Sequence, residues 1–200
     1  MSNDCTQQLM VEARCGNIHA VEQLLDRGAN VNSRKTTLGT TPLIGACASG
    51  ATEVVKLLLA RGANPNVRDI FGSTALIWAA EAGQVDIVRL LLEGGADVNA
   101  GADETFWVGT ALLAASKFGH EEVARLLLDR GANVNARGKK GISPLIAASM
   151  LGKREVVELL LERGADVNHR QENGRTALYY ASRFGHDEIV HLLKDHAAEE

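Results

Sequence analysis

Apolar and polar positions along this chain fall into two kinds of segment, and the pair recurs. One kind is short and built of small residues behind a leucine: Leu43-Ile44-Gly45-Ala46-Cys47, Leu76-Ile77-Trp78-Ala79-Ala80, Leu145-Ile146-Ala147-Ala148. The other places large apolar residues at i, i+1, i+4 and i+5, as in Val54, Val55, Leu58, Leu59 and again in Ile87, Val88, Leu91, Leu92. That spacing draws a wide apolar stripe along a helix. Each first segment opens with Thr or Ser and then Pro or Ala: Thr41-Pro42, Thr74-Ala75, Thr110-Ala111, Ser143-Pro144, Thr176-Ala177. A hydroxyl there accepts a hydrogen bond from an unpaired first-turn amide, and Pro at the first helical position sacrifices no bond, so each pair predicts a helix start. Gly50, Gly83, Gly119, Gly152 and Gly185 then predict left-handed stops.

A fixed phrase closes each pair of helices. It reads Gly28-Ala29-Asn30-Val31-Asn32, Gly62-Ala63-Asn64-Pro65-Asn66, Gly95-Ala96-Asp97-Val98-Asn99, Gly131-Ala132-Asn133-Val134-Asn135 and Gly164-Ala165-Asp166-Val167-Asn168, with the glycines 34, 33, 36 and 33 residues apart. A period near that length is the mark of a solenoid, in which each unit is buried by its neighbours.

Five in-phase copies of Thr/Ser-Pro/Ala-Leu joined to five of Gly-Ala-Asn/Asp-x-Asn resemble the ankyrin repeat across nearly all 200 residues. The resemblance implies an all-α solenoid with short β-hairpin fingers. It further implies one domain over 1–200, with repeats at about 1–32, 33–66, 67–99, 100–135, 136–168 and 169–200. One departure is that the family's histidine after Thr-Pro-Leu is replaced by Ile44, Ile77, Leu113, Ile146 and Tyr179, which removes a polar link between units. The end repeats read as polar caps. Gln7-Gln8 stand where Thr-Pro belongs, Glu12 takes a small buried slot, and Lys194 falls where Leu161 sits one unit earlier.

Composition adds limits. With 46% hydrophobic and 23% charged residues and three prolines, the chain is expected to be ordered and globular. The N-terminus lacks a basic start and an apolar stretch, and no apolar run approaches a membrane span, so a cytoplasmic location without membrane contact is expected. Cys5, Cys15 and Cys47 show no Cys-x-x-Cys spacing, and Cys47 reads as a small core residue. Phosphate-loop, nucleophile-elbow, zinc-protease and dinucleotide motifs are absent from the sequence, which predicts a non-enzymatic chain without a cofactor. His120 and His186 share a slot with Asn17, Ala51, Gln84 and Lys153, which predicts a capping or surface role. His186, His191 and His196 recur every five residues and spread around a helix rather than forming a metal site. Asn32, Asn66, Asn99, Asn135 and Asn168 are expected to tie adjacent connectors together through their amides.

Positions that differ between units are the candidates for recognition. They form two sets: the fingers (34–38, 68–71, 102–108, 137–140, 170–173) and the pair before each helix-ending glycine, such as Lys117-Phe118, Met150-Leu151 and Arg183-Phe184. In ankyrin-like stacks both sets line the concave face. The candidate partner-binding residues are therefore Arg34, Lys35, Arg68, Ile70, Phe71, Phe106, Trp107, Lys117, Phe118, Arg137, Lys139, Lys140, Met150, Arg170 and Arg183. The fingers hold eight basic residues (adding Arg175) against four acidic ones (Asp69, Asp103, Glu104, Glu172) in a chain of net charge −4, which points to an acidic protein partner. The finger from Asn99 to Thr110 is lengthened and carries Phe106 and Trp107, which either anchor a partner or fold back onto neighbouring repeats. Trp78, inside a first helix, is expected to be packed in the stack.

The expected function is a monomeric protein-binding module acting as inhibitor, scaffold or adaptor. Two alternatives stand beside it. One is a nucleotide or small-anion sensor, with Trp107 stacking on a base and Lys139-Lys140 meeting phosphate. The other is a structural repeat without a specific ligand.

Overall fold

Each start residue caps its helix as its chemistry requires. The hydroxyls of Thr41, Thr74, Thr110, Ser143 and Thr176 accept from the amides of Ile44, Ile77, Leu113, Ile146 and Tyr179 at 3.2–3.4 Å. The computed structural model describes residues 2–34, 37–101 and 109–197, with side chains from Cys5 onward. Its backbone divides into two compact units, Met1–Ala100 and Gly101–Glu200.

The first unit holds α1 (Ser2–Cys15), α2 (Ile18–Asp26), α3 (Pro42–Ser49), α4 (Thr52–Ala60), α5 (Ala75–Glu81) and α6 (Val85–Glu93). Helices α1, α3 and α5 pack side by side in one row, α2, α4 and α6 in a second, and each pair is joined across the rows. The first-row residues are small because helices must approach closely: Ala46, Cys47, Ala79 and Ala80 are fully buried. The second row supplies bulk through Val54, Val55 and Leu58 on α4 and Ile87, Val88 and Leu91 on α6. Helix α1 begins well ahead of the slot where later repeats place their capping hydroxyl, since Gln7-Gln8 offer neither cap nor Pro to start a helix there.

The second unit repeats the plan with α7 (Ala111–Phe118), α8 (Glu121–Asp129), a 3-10 turn (Lys139–Gly141), α9 (Pro144–Met150), α10 (Arg154–Glu162), α11 (Ala177–Phe184) and α12 (Asp187–Ala197). Helix α9 lies between α7 and α11, and α10 between α8 and α12. Helix α10 accordingly buries Val156, Val157, Leu159, Leu160 and Leu161, whereas α12 buries only Ile189 and Leu193 and leaves Lys194 exposed. Two helix-ending glycines carry a double constraint. Gly119 and Gly152 sit at φ +80° and +67°, and a Cβ on either would meet the Lys153 stem or the His186 ring at 2.7 Å.

The recurrent asparagines form a ladder. Asn32 donates to Gly62 O (3.1 Å) and accepts from the Asn64 amide (2.7 Å); Asn66 does the same with Gly95 and Asp97, and Asn135 with Gly164 and Asp166. Each amide thus pairs with one backbone acceptor and one backbone donor of the following repeat, as the side-chain chemistry of Asn allows and that of Asp does not.

Among the described residues none lies in a strand, so the hairpin form expected of the fingers is not seen. Three described fingers are instead closed at the base by a backbone bond, Asp69 to Ser73, Gly138 to Ile142 and Gln171 to Arg175, each at 2.9 Å.

Candidate functional site

The tips of these fingers are four-residue turns, Asp69-Ile70-Phe71-Gly72, Gly138-Lys139-Lys140-Gly141 and Gln171-Glu172-Asn173-Gly174. In each, the closing glycine amide donates to the first carbonyl at 2.8–3.1 Å. Adjacent fingers touch through one further bond, Ile70 N to Leu38 O at 3.0 Å and Glu172 N to Lys140 O at 3.3 Å.

In the first unit the tip is locked from below. Asp69 is only 5% exposed, and its carboxylate accepts from the amides of Phe71 and Ser73 (2.9 Å each) and from the Trp78 indole (3.1 Å). Trp78 is half-buried rather than fully enclosed in the stack, and its indole N–H reaches from α5 to the finger. This arrangement also withdraws Asp69 from the surface charge. The consequence is a rigid turn that holds Ile70 (51% exposed) and Phe71 (48%) outward, with Leu38 (46%) beside them. Leu38 occupies the same register slot before Thr41 that Phe71 occupies before Thr74, the signal that would have singled it out. Arg34 is exposed, yet its guanidinium donates to Gly39 O (3.3 Å) and Arg68 O (2.7 Å), binding one finger to the next; Arg68 itself is exposed.

The second unit uses the same device once. Gln171, 6% exposed, accepts from the Tyr180 hydroxyl at 3.2 Å. Burial raises the Tyr180 phenol, but hydrogen bonding with Arg175, Asn173 and Gln171, together with the Arg175 charge, outweighs it and leaves the group below the ordinary tyrosine value. At the equivalent positions of the middle repeat stand Gly138 and Ala147, which have no such pair to form. There Lys140 takes φ +61°, the sole positive φ outside glycine among the described residues. Arg137 and Lys140 are exposed and Lys139 half-buried, while Arg170 donates to Gly174 O at 3.3 Å.

Three first helices of this unit end in exposed apolar residues at one register slot: Phe118 (40%), Leu151 (42%) and Phe184 (52%). The preceding slot holds Lys117, Met150 and Arg183; Met150 is half-buried and both cations are exposed. The Lys117 ammonium lies 5.0 Å from the Phe118 ring centre, His120 stacks on Phe118 at 6.3 Å, and Tyr180 stacks on Phe184 at 6.3 Å. Tyr179, passed over in the sequence, is 39% exposed beneath Arg175 at 5.0 Å. Its signal was its place in the slot filled elsewhere by Ile or Leu. Lys35, Phe106 and Trp107 lie outside the described residues, with the acidic pair Asp103 and Glu104.

No described feature resembles a reaction centre. The hollow bordered by Thr176, Leu178, Tyr179, Ser182 and Arg183, about 630 Å³, gathers no nucleophile–base pair. Among the described residues no three His, Cys, Asp or Glu side chains could hold a metal ion, and no helix is long and apolar enough to cross a membrane. Burial pushes the Cys47 thiol far above its usual range.

Stacked helix pairs joined by an asparagine ladder, with variable fingers and no catalytic cluster among the described residues, define a repeat scaffold of the kind that holds other molecules. The family described as ankyrin repeats (3 copies) matches residues 9–102 and 112–200, and this chain belongs to it. The crystal structure of the human ASB11 ankyrin repeat domain superposes with a TM-score of 0.84 at 31% identity, over 94% of this chain and 82% of that one. Mitochondrial disaggregase of Bos taurus is 46% identical over 63 residues, 32% of this chain and 9% of the relative. The 2-5A-dependent ribonuclease of Mus musculus is 43% identical over 53 residues, 26% and 7% respectively. The chain thus spans less than a tenth of the length of these curated relatives. Ankyrin repeats are protein-interaction modules, and the fold is typically a non-enzymatic scaffold.

Proposed function

We propose that this chain binds a protein partner with an acidic surface, through its finger tips and the C-terminal ends of its first helices. The observation that carries this reading is the repeated exposure of large apolar side chains at matching register slots, each set beside cations. Leu38, Ile70 and Phe71 supply one such set in the first unit, near Arg34 and Arg68; Phe118, Leu151 and Phe184 supply another in the second. The exposed parts of these apolar side chains cost solubility, whereas at an interface they supply the desolvated anchors. Lys140, exposed at its finger tip in a left-handed backbone that costs about 1–2 kcal/mol, adds a cation to the same surface. The cations steer encounter more than they add affinity.

The test is capture from a lysate by immobilised wild-type chain beside Phe71→Asp and Phe118→Asp variants of unchanged melting temperature. A partner lost with either variant, and released by raised salt, supports the reading; a partner retained equally by both overturns it. A second reading, nucleotide sensing, draws on the relative named for its dependence on 2-5A. It is favoured instead if phosphate-bearing nucleotides quench tryptophan fluorescence in the wild type and fail to do so in Trp107→Phe.

A further inference from the structure

Phe118, Leu151 and Phe184 are spaced by one repeat each, close helices α7, α9 and α11, and directly precede Gly119, Gly152 and Gly185. Those helices pack in that order, so the three side chains form a row whose step is the separation of packed helices, roughly 8–10 Å. The matching slots of the first unit hold Cys15, Ser49 and Ala82, which are exposed and small. The row is thus a property of the second unit alone.

A step of this size excludes a strand and leaves two shapes, between which the charge pattern decides. Seven residues of α-helix rise about 10.5 Å and return to nearly the same face, so apolar residues at i, i+7 and i+14 meet three such rungs in register. In an extended strand, same-face residues fall about 6.6 Å apart and miss the second rung. A polyproline segment repeats about every 9.3 Å. It lacks the i, i+3 and i+4 neighbours that set carboxylates one turn from each anchor. The charge pattern asks for such carboxylates. Lys117 and Arg183 adjoin the outer two rungs and Met150 the central one, and among the described finger residues of this unit Glu172 is the single acid against Arg137, Lys139, Lys140, Arg170 and Arg175.

We infer that the second unit docks an acidic amphipathic helix of the partner, with apolar anchors at i, i+7 and i+14 on Phe118, Leu151 and Phe184 and acidic residues beside the outer anchors. This rests on the protein-binding reading above and specifies its ligand. The aromatic rungs are held before the helix arrives, by His120 and Lys117 against Phe118 and by Tyr180 against Phe184, so little ordering is left to binding.

The experiment is fluorescence anisotropy of the full chain with labelled Glu-rich helical peptides of about 20 residues. One carries Leu at i, i+7 and i+14; a second has the same composition with the leucines moved to different faces; a third is an acidic proline-rich peptide with Leu at every third residue. The heptad peptide is expected to bind at least about tenfold tighter than either control, to lose about tenfold with Leu151→Asp, and to weaken with Lys117→Glu plus Arg183→Glu and with salt. Equal binding of the first two peptides, tighter binding of the third, or indifference to Leu151→Asp overturns the inference. If the heptad peptide fails while Leu151→Asp still abolishes capture of a lysate partner, the helix is wrong and the binding-module reading stands. If capture also survives that substitution, the reading falls in this unit too.

Discussion

Asp69 concentrates three structural bonds in one side chain. Two backbone amides and an indole N–H converge on a carboxylate that is almost wholly buried. Asp69→Ala leaves three donors without an acceptor and is expected to destabilise the chain by about 3 kcal/mol, with loss of finger order visible in hydrogen exchange at Phe71 and Ser73. Trp78→Phe removes one of the three bonds and keeps a smaller aromatic ring, so urea titration should give a loss of at least about 1 kcal/mol. Cys47 makes a separate claim. Its native pKa is raised by burial, so the unfolded thiol ionises first as pH rises. Its contribution to stability is full below the ordinary thiol value of about 8.5 and declines above it. Melting temperature should therefore fall more steeply above that pH in the wild type than in Cys47→Ala, and a thiol reagent should modify Cys15 in the native state but Cys47 only on unfolding.

Elements are joined in two ways that differ in their tolerance of change. The ladder is exposed and repeated, so Asn66→Ala, which deletes one donor and one acceptor contact, should cost about 1 kcal/mol in a thermal melt. Arg89→Ala, exposed on α6, should lie within about 0.5 kcal/mol of wild type. Helix stops are less forgiving. Gly152→Ala and Gly164→Ala both impose a left-handed alanine, at about 1–2 kcal/mol. Only at Gly152 does the new Cβ run into a ring, that of His186, while Gly164 has open space. The excess loss at Gly152, read from paired urea curves, measures how firmly His186 closes the previous repeat.

At the scale of the whole chain, stability is a sum of neighbour interfaces. Removing residues 136–168 excises α9 and α10 in register and should leave a folded, helical but less stable protein. Circular dichroism with a lowered melting temperature is the expected result, and a random-coil spectrum would count against nearest-neighbour stacking. Partner association should slow as salt rises while the melting temperature stays nearly constant, because the exposed cations contribute to encounter and not to the stack.

The helix pairs, their caps, their glycine stops and the asparagine ladder were all legible in the sequence, because each depends on local chemistry repeated in phase: a hydroxyl three residues from an amide, a glycine at a left-handed position, an amide with both a donor and an acceptor. The candidate site was legible as a set of variable slots, though not as an arrangement. Trp78 reads as a core residue by its helical register, yet it is only half-buried, its indole tied to a carboxylate nine residues away in the chain. Arg34 reads as a docking cation, and the structure adds that its exposed guanidinium also binds two neighbouring carbonyls. Leu38 falls in a variable finger and Tyr179 in a slot filled elsewhere by Ile or Leu, but neither is named as a contact residue by sequence, and both are exposed. Period and composition determine which backbone the chain adopts, since those constraints are local and recur. Which polar groups face each other across fingers and helices, and so which apolar residues are left for a partner, depends on contacts between distant residues, and only the tertiary structure decides them.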